Sequence, residues 1–350
     1  MAEKGELIQR IERIIGNDKL SESDVLQHIK TLYATEMLAM CSSTALPITD
    51  LFSKWAAKTS DENDAISSGY SDLDQLTGGF SPGELVVVGS RPAMGKTQLL
   101  INFAFNISKS SPVLFIEYES SEQLLVARFL ASISDIETQK ILRKSLSHSE
   151  WEQFNLKVAP FYKQQLFIDS HPETDIDVLK AHCIREIEEK HIKVIMIDCI
   201  QSLNAYHHYR NRDAEVSYIS KELKKLAIEH DICVIVTSNL NRSVESRYGI
   251  EGKRPLLSDI RESGSIEQEA DKVIFLHRPE YYKIMEDEHG NSLIGIAELL
   301  IEKNSSGAQG IVKLKRTEGF TNFVDFHFPS LNEINISQKR LDEIENTTPF

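Results

Sequence analysis

Short apolar runs alternate with longer amphipathic segments over most of the chain from Ile66 onward. The apolar runs predict buried strands, and the segments between them, with apolar residues three and four positions apart, predict helices. The predicted strands are Leu85–Val88, Val113–Ile116, Leu166–Ile168, Val194–Ile197, Cys233–Val236 and Val273–Leu276. The predicted helices are Gln98–Ile107, Gln123–Ala131, Ile176–Glu188 and Val216–Ile228. This alternation indicates an α/β fold with a mostly parallel sheet flanked by helices.

The same patterns divide the chain into segments. Helical spacing of apolar residues predicts a small all-helical N-terminal segment at residues 1–46, and an amphipathic turn-rich stretch predicts a linker helix and linker at 47–64. We expect the main domain at 65–330 and a C-terminal tail at 331–350. Within the main domain, Ile296–Lys303 and Gly310–Arg316 are separated by a polar, glycine-containing hexapeptide and predict a hairpin.

Composition limits the location and the partners. No apolar stretch approaches the roughly 20 residues that cross a bilayer, and the first residues lack the apolar run of a secretory signal, so a cytoplasmic protein without a membrane partner is expected. The formal net charge of −14 disfavours a nucleic-acid partner unless a local basic strip supplies positive potential. The four cysteines lack C-x-x-C spacing and are interpreted as reduced core residues, not as a disulfide set or zinc site.

A phosphate-binding loop follows the first predicted strand and ends in Gly-Lys-Thr at the start of a helix. Successive backbone N–H groups and the positive helix end can hold phosphate oxygens, while Lys96 reaches the β- and γ-phosphates and the Thr97 hydroxyl ligates Mg²⁺. Ser90 stands where this motif usually has its first glycine, with Gly89 one place earlier. A chance Gly-Lys-Thr in a surface loop fits less well, because strand and helix flank it as the mechanism requires. The predicted ATP-binding residues of the loop are Ser90, Arg91, Pro92, Ala93, Met94, Gly95, Lys96 and Thr97.

Polar residues at the ends of three other predicted strands complete this candidate site. Asp198 ends a buried run and suits a Walker B aspartate that holds Mg²⁺ through water, although strands ending in aspartate are common in parallel sheets. A glutamate of the Glu117-Tyr118-Glu119 sequence could orient or deprotonate the attacking water; a solvated strand-end charge is the equal alternative from spacing alone. The segment Ser238–Arg242, which includes Asn239, follows the Cys233 strand and could place a polar side chain near the γ-phosphate.

Two further polar stretches have weaker signals. The stretch from Arg242 to Arg261 is the densest basic segment and could contact a phosphate backbone, although such a segment taken alone is more often a solvated loop. His207-His208 has no third ligand at metal spacing and is interpreted as a surface feature.

From about Ile66 to Phe328 the chain resembles the C-terminal motor domain of DnaB-type replicative DNA helicases. The resemblance is most specific in the block from Asp259 to Asp271, which is close to a signature of that family. The other matching segments are Gly69–Asp74, Arg91–Thr97, Met196–Asp198 and Asn239–Ser243.

The resemblance implies a RecA-like P-loop NTPase fold and an ATP-dependent DNA helicase or translocase active in DNA replication. It implies a homo-oligomeric ring, a hexamer in the family, with ATP and Mg²⁺ at subunit interfaces, single-stranded DNA in the channel, and a helicase loader as a candidate partner. By the same resemblance, Glu119 is the catalytic base, Asp198 is the Walker B residue, and Lys303 lies in the hairpin that reaches the neighbour's site. The implied DNA-contacting residues are Arg242, Arg261, Glu262 and Gly264.

Two departures from the family pattern, at Ser305 and Asn239, leave a second function open, and a third concerns a partner. Ser305 stands where the family has an arginine finger, which can contribute roughly 10³- to 10⁵-fold in rate. Asn239 stands where the family has glutamine, and the N-terminal segment is shorter than the family's primase-binding collar, so primase binding is a weaker expectation. The alternative is a helicase-derived ATP- and DNA-binding protein with weak or vestigial hydrolysis. A recombinase-like or clock-type relative would share the loop but not the Arg261 block.

Overall fold

The computed structural model describes residues 47–50, 65–170, 172–206, 209–260, 263–317, 319 and 321–326, the side chains at 263 and 265 excepted. The chain divides into two units, Met1–Asn63 and Asp64–Phe350. Of the first unit, only residues 47–50 are described, and 48–50 are helical. The predicted N-terminal segment, most of the predicted linker, the His207-His208 pair and the tail lie outside the described residues and stay predictions.

One sheet organises the described part of the second unit, with strand order β3-β2-β4-β5-β1-β6-β7-β8-β9. The strands β1 to β6 pair in parallel, and β7, β8 and β9 continue the sheet in antiparallel fashion. The central parallel strands are apolar on both faces because helices cover both faces of the sheet. The strands are β1 Leu85–Ser90, β2 Val113–Glu117, β3 Leu166–Asp169, β4 Val194–Asp198, β5 Cys233–Asn239, β6 Lys272–His277, β7 Ile296–Asn304, β8 Gly310–Arg316 and β9 Phe323–Asp325.

Helices connect the strands, and polar side chains cap several of them. Ser121 caps α3, Asp175 caps α6 and Asn211 caps α7, each by accepting a backbone N–H of the first turn. The helices of the second unit's described residues are α1 Ser71–Thr77, α2 Lys96–Ile107, α3 Glu122–Ser134, α4 Thr138–Leu142, α5 His148–Val158, α6 Ile176–Lys190, α7 Arg212–His230, α8 Gly249–Lys253 and α9 Ser263–Glu269.

The hydrophobic core forms one layer on each face of the sheet. Alternate residues of a strand point to opposite faces, so Val86 and Val88 pack with α2 and α3, whereas Leu85 and Val87 pack with α6, α7 and α9. The result is a helix–sheet–helix sandwich. The sequence-based prediction of a mostly parallel sheet flanked by helices is confirmed.

Each strand and helix predicted for the main domain is present, with ends that differ by at most four residues from the prediction, and the hairpin is formed by β7 and β8. The apolar pattern did not predict α1, α4, α5, α8, α9 or β9. Helix α5 buries only Val158, while Trp151 and Leu156 remain exposed, so it lacks the apolar stripe that marks a helix in a sequence. A capping box formed by Ser147 and Glu150 is the local signal that marks its start.

The strand order brings four chain segments together at one edge of the sheet. Ser90 at the end of β1 pairs with Asn239 of β5, and Glu117 at the end of β2 pairs with Asp198 of β4. In open parallel sheets, the carboxyl ends of the strands are where ligands bind. The polar residues predicted as a site therefore lie at the appropriate edge.

Candidate functional site

The loop between β1 and α2 has a backbone suited to holding an anion. Gly95, the residue before α2, has φ of 100°, and Ala93 has φ of 64°. No side chain caps α2 through a hydrogen bond, so the first N–H groups of this helix are free of an internal side-chain acceptor. Uncapped N–H groups at the positive end of a helix, preceded by a tightly turned loop, are an anion-binding arrangement.

Gly89, one place before the usual first glycine of the loop motif, is required by packing within the sheet. A Cβ atom at Gly89 would lie 2.7 Å from the Phe275 ring and 3.1 Å from Leu240, so the strand needs glycine there for packing. Ser90, the next residue, is fully buried, and its hydroxyl donates to the Arg91 carbonyl oxygen at 3.0 Å. Packing within the sheet therefore accounts for Gly89, and the loop itself begins at Ser90.

Lys96, Thr97, Asp198 and Asn239 form one connected polar group. The Lys96 ammonium donates to Asn239 Oδ1 at 2.8 Å and lies 4.0 Å from Asp198 Oδ1. The Thr97 hydroxyl donates to Asp198 Oδ2 at 2.5 Å, and the Thr237 hydroxyl donates to Asp198 Oδ1. A hydroxyl and a carboxylate in contact are the hard oxygen ligands that Mg²⁺ prefers, so the donor set fits that ion. The ammonium beside them supplies positive charge for phosphate oxygens.

The two glutamates that follow β2 have different surroundings. Glu117 is fully buried; burial, and then the neighbouring Asp198 carboxylate, raise its pKa to about 7. Its Oε1 accepts the backbone N–H groups of Glu119 at 2.9 Å and Ser120 at 2.7 Å, and its Oε2 has no hydrogen-bond partner among the described residues. Glu119 is exposed instead, and its Oε1 accepts a hydrogen bond from the Cys199 thiol at 3.0 Å.

A cavity of about 920 Å³ opens over the loop. Its volume lies within the range of roughly 300–1,000 Å³ that is common for small-molecule sites. Among the predicted residues, Met94 does not line it; its side chain is 1% exposed and packs in the core with α2. Asp198 lies behind Thr97 and does not line the cavity itself. The predicted residues that line it are Ser90, Arg91, Pro92, Ala93, Gly95, Lys96, Thr97, Glu119 and Asn239.

The cavity also has polar lining residues that the sequence analysis did not identify. Arg128 of α3 reaches it and donates to the Ser120 hydroxyl at 3.0 Å, and Gln98, Glu137 and Gln139 lie along its wall. Gln98 comes from α2, Glu137 precedes α4, and Gln139 lies in α4. Only the interruption of the apolar pattern of α3 by an arginine hints at Arg128 in the sequence.

Arg91 turns away from the loop toward the segment that follows β5. Its guanidinium donates to the Leu240 carbonyl oxygen at 2.6 Å and forms an ion pair with Glu245 at 2.7 Å. Arg278, which follows β6, donates to the carbonyl oxygen of Ala93 at 3.4 Å. The loop is therefore fixed from outside by contacts to the ends of β5 and β6.

The basic stretch after β5 is largely neutralised within the chain. Arg247 pairs with Asp259, and Arg254 donates to both carboxylate oxygens of Glu298, from Nε at 2.9 Å and from Nη2 at 2.8 Å. Arg242 is exposed and makes no side-chain hydrogen bond or ion pair with the described residues. The exposed Gly264 is part of α9, while 261 and 262, two of the predicted DNA-contacting positions, lie outside the described residues. The basic strip therefore contributes less free positive charge than the sequence suggests.

Lys303 and Ser305 lie at the opposite edge of the sheet from the loop. Because β7 runs antiparallel to β6, Lys303 pairs with Val273 near the start of β6, whereas the loop follows the end of β1. The Lys303 ammonium donates to the carbonyl oxygens of Glu267 at 2.8 Å and Gln268 at 3.2 Å. Neither Lys303 nor Ser305 lines the cavity of its own chain.

Neither a membrane span nor a clustered metal site was found in the described part of the chain. No helix there is both long and apolar enough to cross a bilayer. No group of three or more His, Cys, Asp and Glu side chains in that part is arranged so that it could hold a metal ion.

The fold and the site together define a class of protein. A mostly parallel sheet with a phosphate-binding type of loop after β1, and an aspartate at the end of β4 in contact with the loop threonine, is the architecture of a RecA-like P-loop ATPase. Residues 65–325 match the family model of the DnaB-like helicase C terminal domain. The chain belongs to this family.

Several known proteins are similar to the chain. The replicative DNA helicase DnaB of Geobacillus stearothermophilus is 36% identical over 263 residues, which are 74% of this chain and 56% of that protein. The replicative DNA helicase DnaC of Bacillus subtilis (strain 168) is 35% identical over 263 residues, with the same shares. The chain spans about half the length of these curated relatives.

Solved structures show the same likeness. One of them, a solved ATPase domain, superimposes with a TM-score of 0.72 at 28% identity, covering 81% of this chain and all of that one. A DnaB-like replicative helicase, described together with its interactions with primase, superimposes with a TM-score of 0.72 at 27% identity, covering 93% of this chain and 76% of that one.

Proposed function

We propose that this chain is an ATP-hydrolysing motor of a DNA helicase that moves along single-stranded DNA as a homo-oligomeric ring. The observation that carries the proposal is the contact of the Thr97 hydroxyl with Asp198, beside the Lys96 ammonium and at the base of the cavity. The membership in the DnaB-like helicase C-terminal domain family and the relatives' description as replicative helicases support the choice of DNA as substrate.

In the proposed site, the loop N–H groups and Lys96 bind the β- and γ-phosphates of ATP. Thr97 and Asp198 hold Mg²⁺, which when bound neutralises charge on the phosphate oxygens. Lys96 is mostly buried, with a side chain 8% exposed, so its attraction to a phosphate is screened less than that of a surface lysine. Binding by these groups places the γ-phosphate at the end of the sheet, next to Asn239.

Glu119 is the proposed base that orients or deprotonates the attacking water. It is exposed and lines the cavity, whereas Glu117 is buried and turns its Oε1 to the backbone. Only Glu119 can therefore reach a water in the cavity without a rearrangement of the strand end. Asn239, which contacts Lys96, is placed to respond to the γ-phosphate.

The proposed ring explains where Lys303 acts. Because Lys303 is at the edge of the sheet away from its own loop, it can contribute to hydrolysis only at the site of a neighbouring copy. In the same proposal, Arg242, Arg261, Glu262 and Gly264 face single-stranded DNA. The complete set of loop, magnesium and base residues within one chain supports hydrolysis over the alternative of a binding protein with vestigial turnover.

An ATPase assay with and without single-stranded DNA tests the proposal. We expect ATP hydrolysis that DNA stimulates, a strand-displacement activity that requires ATP, and loss of both in Lys96→Ala. Lys225→Ala is the matched control, because that side chain is 56% exposed on α7 and its nearest acidic partner, Glu229, is 3.8 Å away. Light scattering in the presence of ATP and Mg²⁺ measures the oligomeric state.

One outcome of the ATPase assay would contradict the motor proposal. If the wild-type protein binds ATP but its turnover stays at background with and without DNA, the motor proposal is wrong. The helicase-derived ATP- and DNA-binding protein is then the better description.

A further inference from the structure

Cys199 contacts the proposed catalytic base directly. It follows Asp198 at the end of β4 and is 1% exposed. Its thiol donates a hydrogen bond to Glu119 Oε1 at 3.0 Å, and its sulfur lies 3.7 Å from the Ser202 hydroxyl oxygen. A thiol is a weak donor, so this contact can orient a carboxylate without binding it as tightly as an ammonium would.

Cys199 is itself held in place by the strand end. Its carbonyl oxygen accepts the backbone N–H of Ser202 at 3.0 Å, and the preceding carbonyl, that of Asp198, accepts the N–H of Tyr118 at 3.0 Å. The second contact joins the end of β4 to the segment that carries Glu119. A buried thiol on a fixed backbone can therefore hold the exposed Glu119 side chain in one position.

Glu119 needs a contact that restricts its rotamers. An exposed glutamate has three rotatable side-chain bonds and samples many rotamers, and each unproductive rotamer takes the carboxylate away from the attacking water. The backbone of Glu119 is already fixed, because its N–H donates to Glu117 Oε1 at 2.9 Å. Among the described residues, the Cys199 thiol is the hydrogen-bond donor to the Glu119 carboxylate.

Cys199 also links Glu119 to the residue beside the γ-phosphate. Asn239 Nδ2 lies 3.9 Å from the Cys199 sulfur, while Asn239 Oδ1 accepts from the Lys96 ammonium at 2.8 Å. A continuous path therefore runs from Lys96 through Asn239 and Cys199 to Glu119. Movement of Asn239 upon loss of the γ-phosphate would displace the Cys199 sulfur, and this displacement would change the position of the Glu119 carboxylate.

We propose that Cys199 is a positioning residue that holds Glu119 in its productive rotamer and couples this rotamer to Asn239. This inference rests on the proposed function, in which Glu119 is the base. Cys199 has no contact with the nucleotide in this proposal, so its effect should fall on turnover and not on ATP binding.

Three variants test the proposal in steady-state ATPase assays. We expect Cys199→Ala to lower kcat by about 3- to 10-fold, as the loss of one modest hydrogen bond implies, with KM changed by less than about twofold. Cys199→Ser keeps a donor and should recover most of kcat. Cys183→Ala is the matched control, because Cys183 is also buried but lies on α6 and does not line the cavity. Thermal melts verify that each variant is folded.

A double-variant comparison separates positioning from a general structural role. In a Glu119→Gln background, Cys199→Ala should cause no further loss of kcat, since the carboxylate that it positions is absent. An equal loss in both backgrounds, or a wild-type kcat in Cys199→Ala, would overturn the proposal.

The rates of Glu119→Gln and Cys199→Ala distinguish a wrong assignment of the base from a wrong assignment of Cys199. If Glu119→Gln keeps the wild-type rate, the assignment of Glu119 as the base is wrong, and the inference falls with it. If Glu119→Gln lowers kcat to a small residual rate while Cys199→Ala keeps the wild-type kcat, only the inference is wrong. Should Cys199→Ala not fold, Cys199→Val, which also lacks a donor but keeps the side-chain volume, carries the test. The inference requires Cys199→Val to lower kcat by about 3- to 10-fold while Cys199→Ser keeps most of the wild-type kcat.

Discussion

His277 should make the stability of the protein depend on pH below neutrality. It ends β6, is fully buried and stacks on Tyr282 with ring centroids 5.6 Å apart. Neither ring nitrogen has a hydrogen-bond partner among the described residues. Burial lowers the pKa of His277 to about 4; Glu298 opposes this shift and Arg254 adds to it.

The sign of the effect follows from proton linkage. An unfolded histidine has a pKa of about 6.5, so below that pH the unfolded state binds more protons than the folded state, and stability falls as the pH falls. With a folded pKa of about 4, the stability lost is about 1.4 kcal/mol at pH 5.5 and approaches about 3 kcal/mol near pH 4. Above about pH 7 this contribution to the pH dependence is absent.

Urea unfolding followed by circular dichroism at pH 7.5 and pH 5.5 measures the effect. His277→Phe keeps the aromatic stacking and removes the titrating group, so the wild type should lose about 1.4 kcal/mol more than this variant between the two pH values. His148→Gln is the control, because that side chain is 94% exposed. Equal pH dependence in the wild type and His277→Phe would refute the reasoning.

Three other predictions follow from the site. Gly89→Ala should lower the free energy of unfolding by about 1–3 kcal/mol, because its Cβ would lie 2.7 Å from a core aromatic ring; Gly264→Ala, with open space around it, should not. Glu117→Gln should raise the free energy of unfolding at pH 8 in metal-free buffer by about 1–3 kcal/mol. The raised pKa of Glu117 means that its buried side chain is charged above about pH 7, and this charge destabilises the fold. Mg²⁺ with ADP should reduce the gain in the free energy of unfolding. Ser305→Arg should raise ATP turnover by about 10-fold or more if a missing arginine limits hydrolysis, and an unchanged rate would indicate that another residue fills the role or that the geometry is unsuitable.

The apolar pattern determined the type and order of the main elements. The runs that became β1, β2, β4 and β5 are apolar at successive positions because helices cover both faces of the sheet, and this requirement is visible residue by residue. The Gly-Lys-Thr loop is equally local, since its function needs only a strand, a turn and the start of a helix. Peripheral elements such as α5 carry little apolar signal because they bury few side chains.

The tertiary structure decided which distant residues meet. The strand order places Asn239 beside Ser90 and Asp198 beside Glu117, and it separates Lys303 from the loop of its own chain. None of these neighbours can be derived from spacing, because each contact joins residues far apart in the chain and depends on which strands pair.

Side-chain partnership was also decided at this level. Arg254 looked like a free basic residue in the sequence, but the folded chain brings Glu298 to it across 44 positions. Cys199 looked like an ordinary core cysteine, and it is buried as expected, yet its sulfur contacts Glu119. Burial can be predicted from a local apolar pattern. The identity of a hydrogen-bond partner cannot, because it depends on the positions of atoms that only the packing of separate segments brings within about 3 Å of each other.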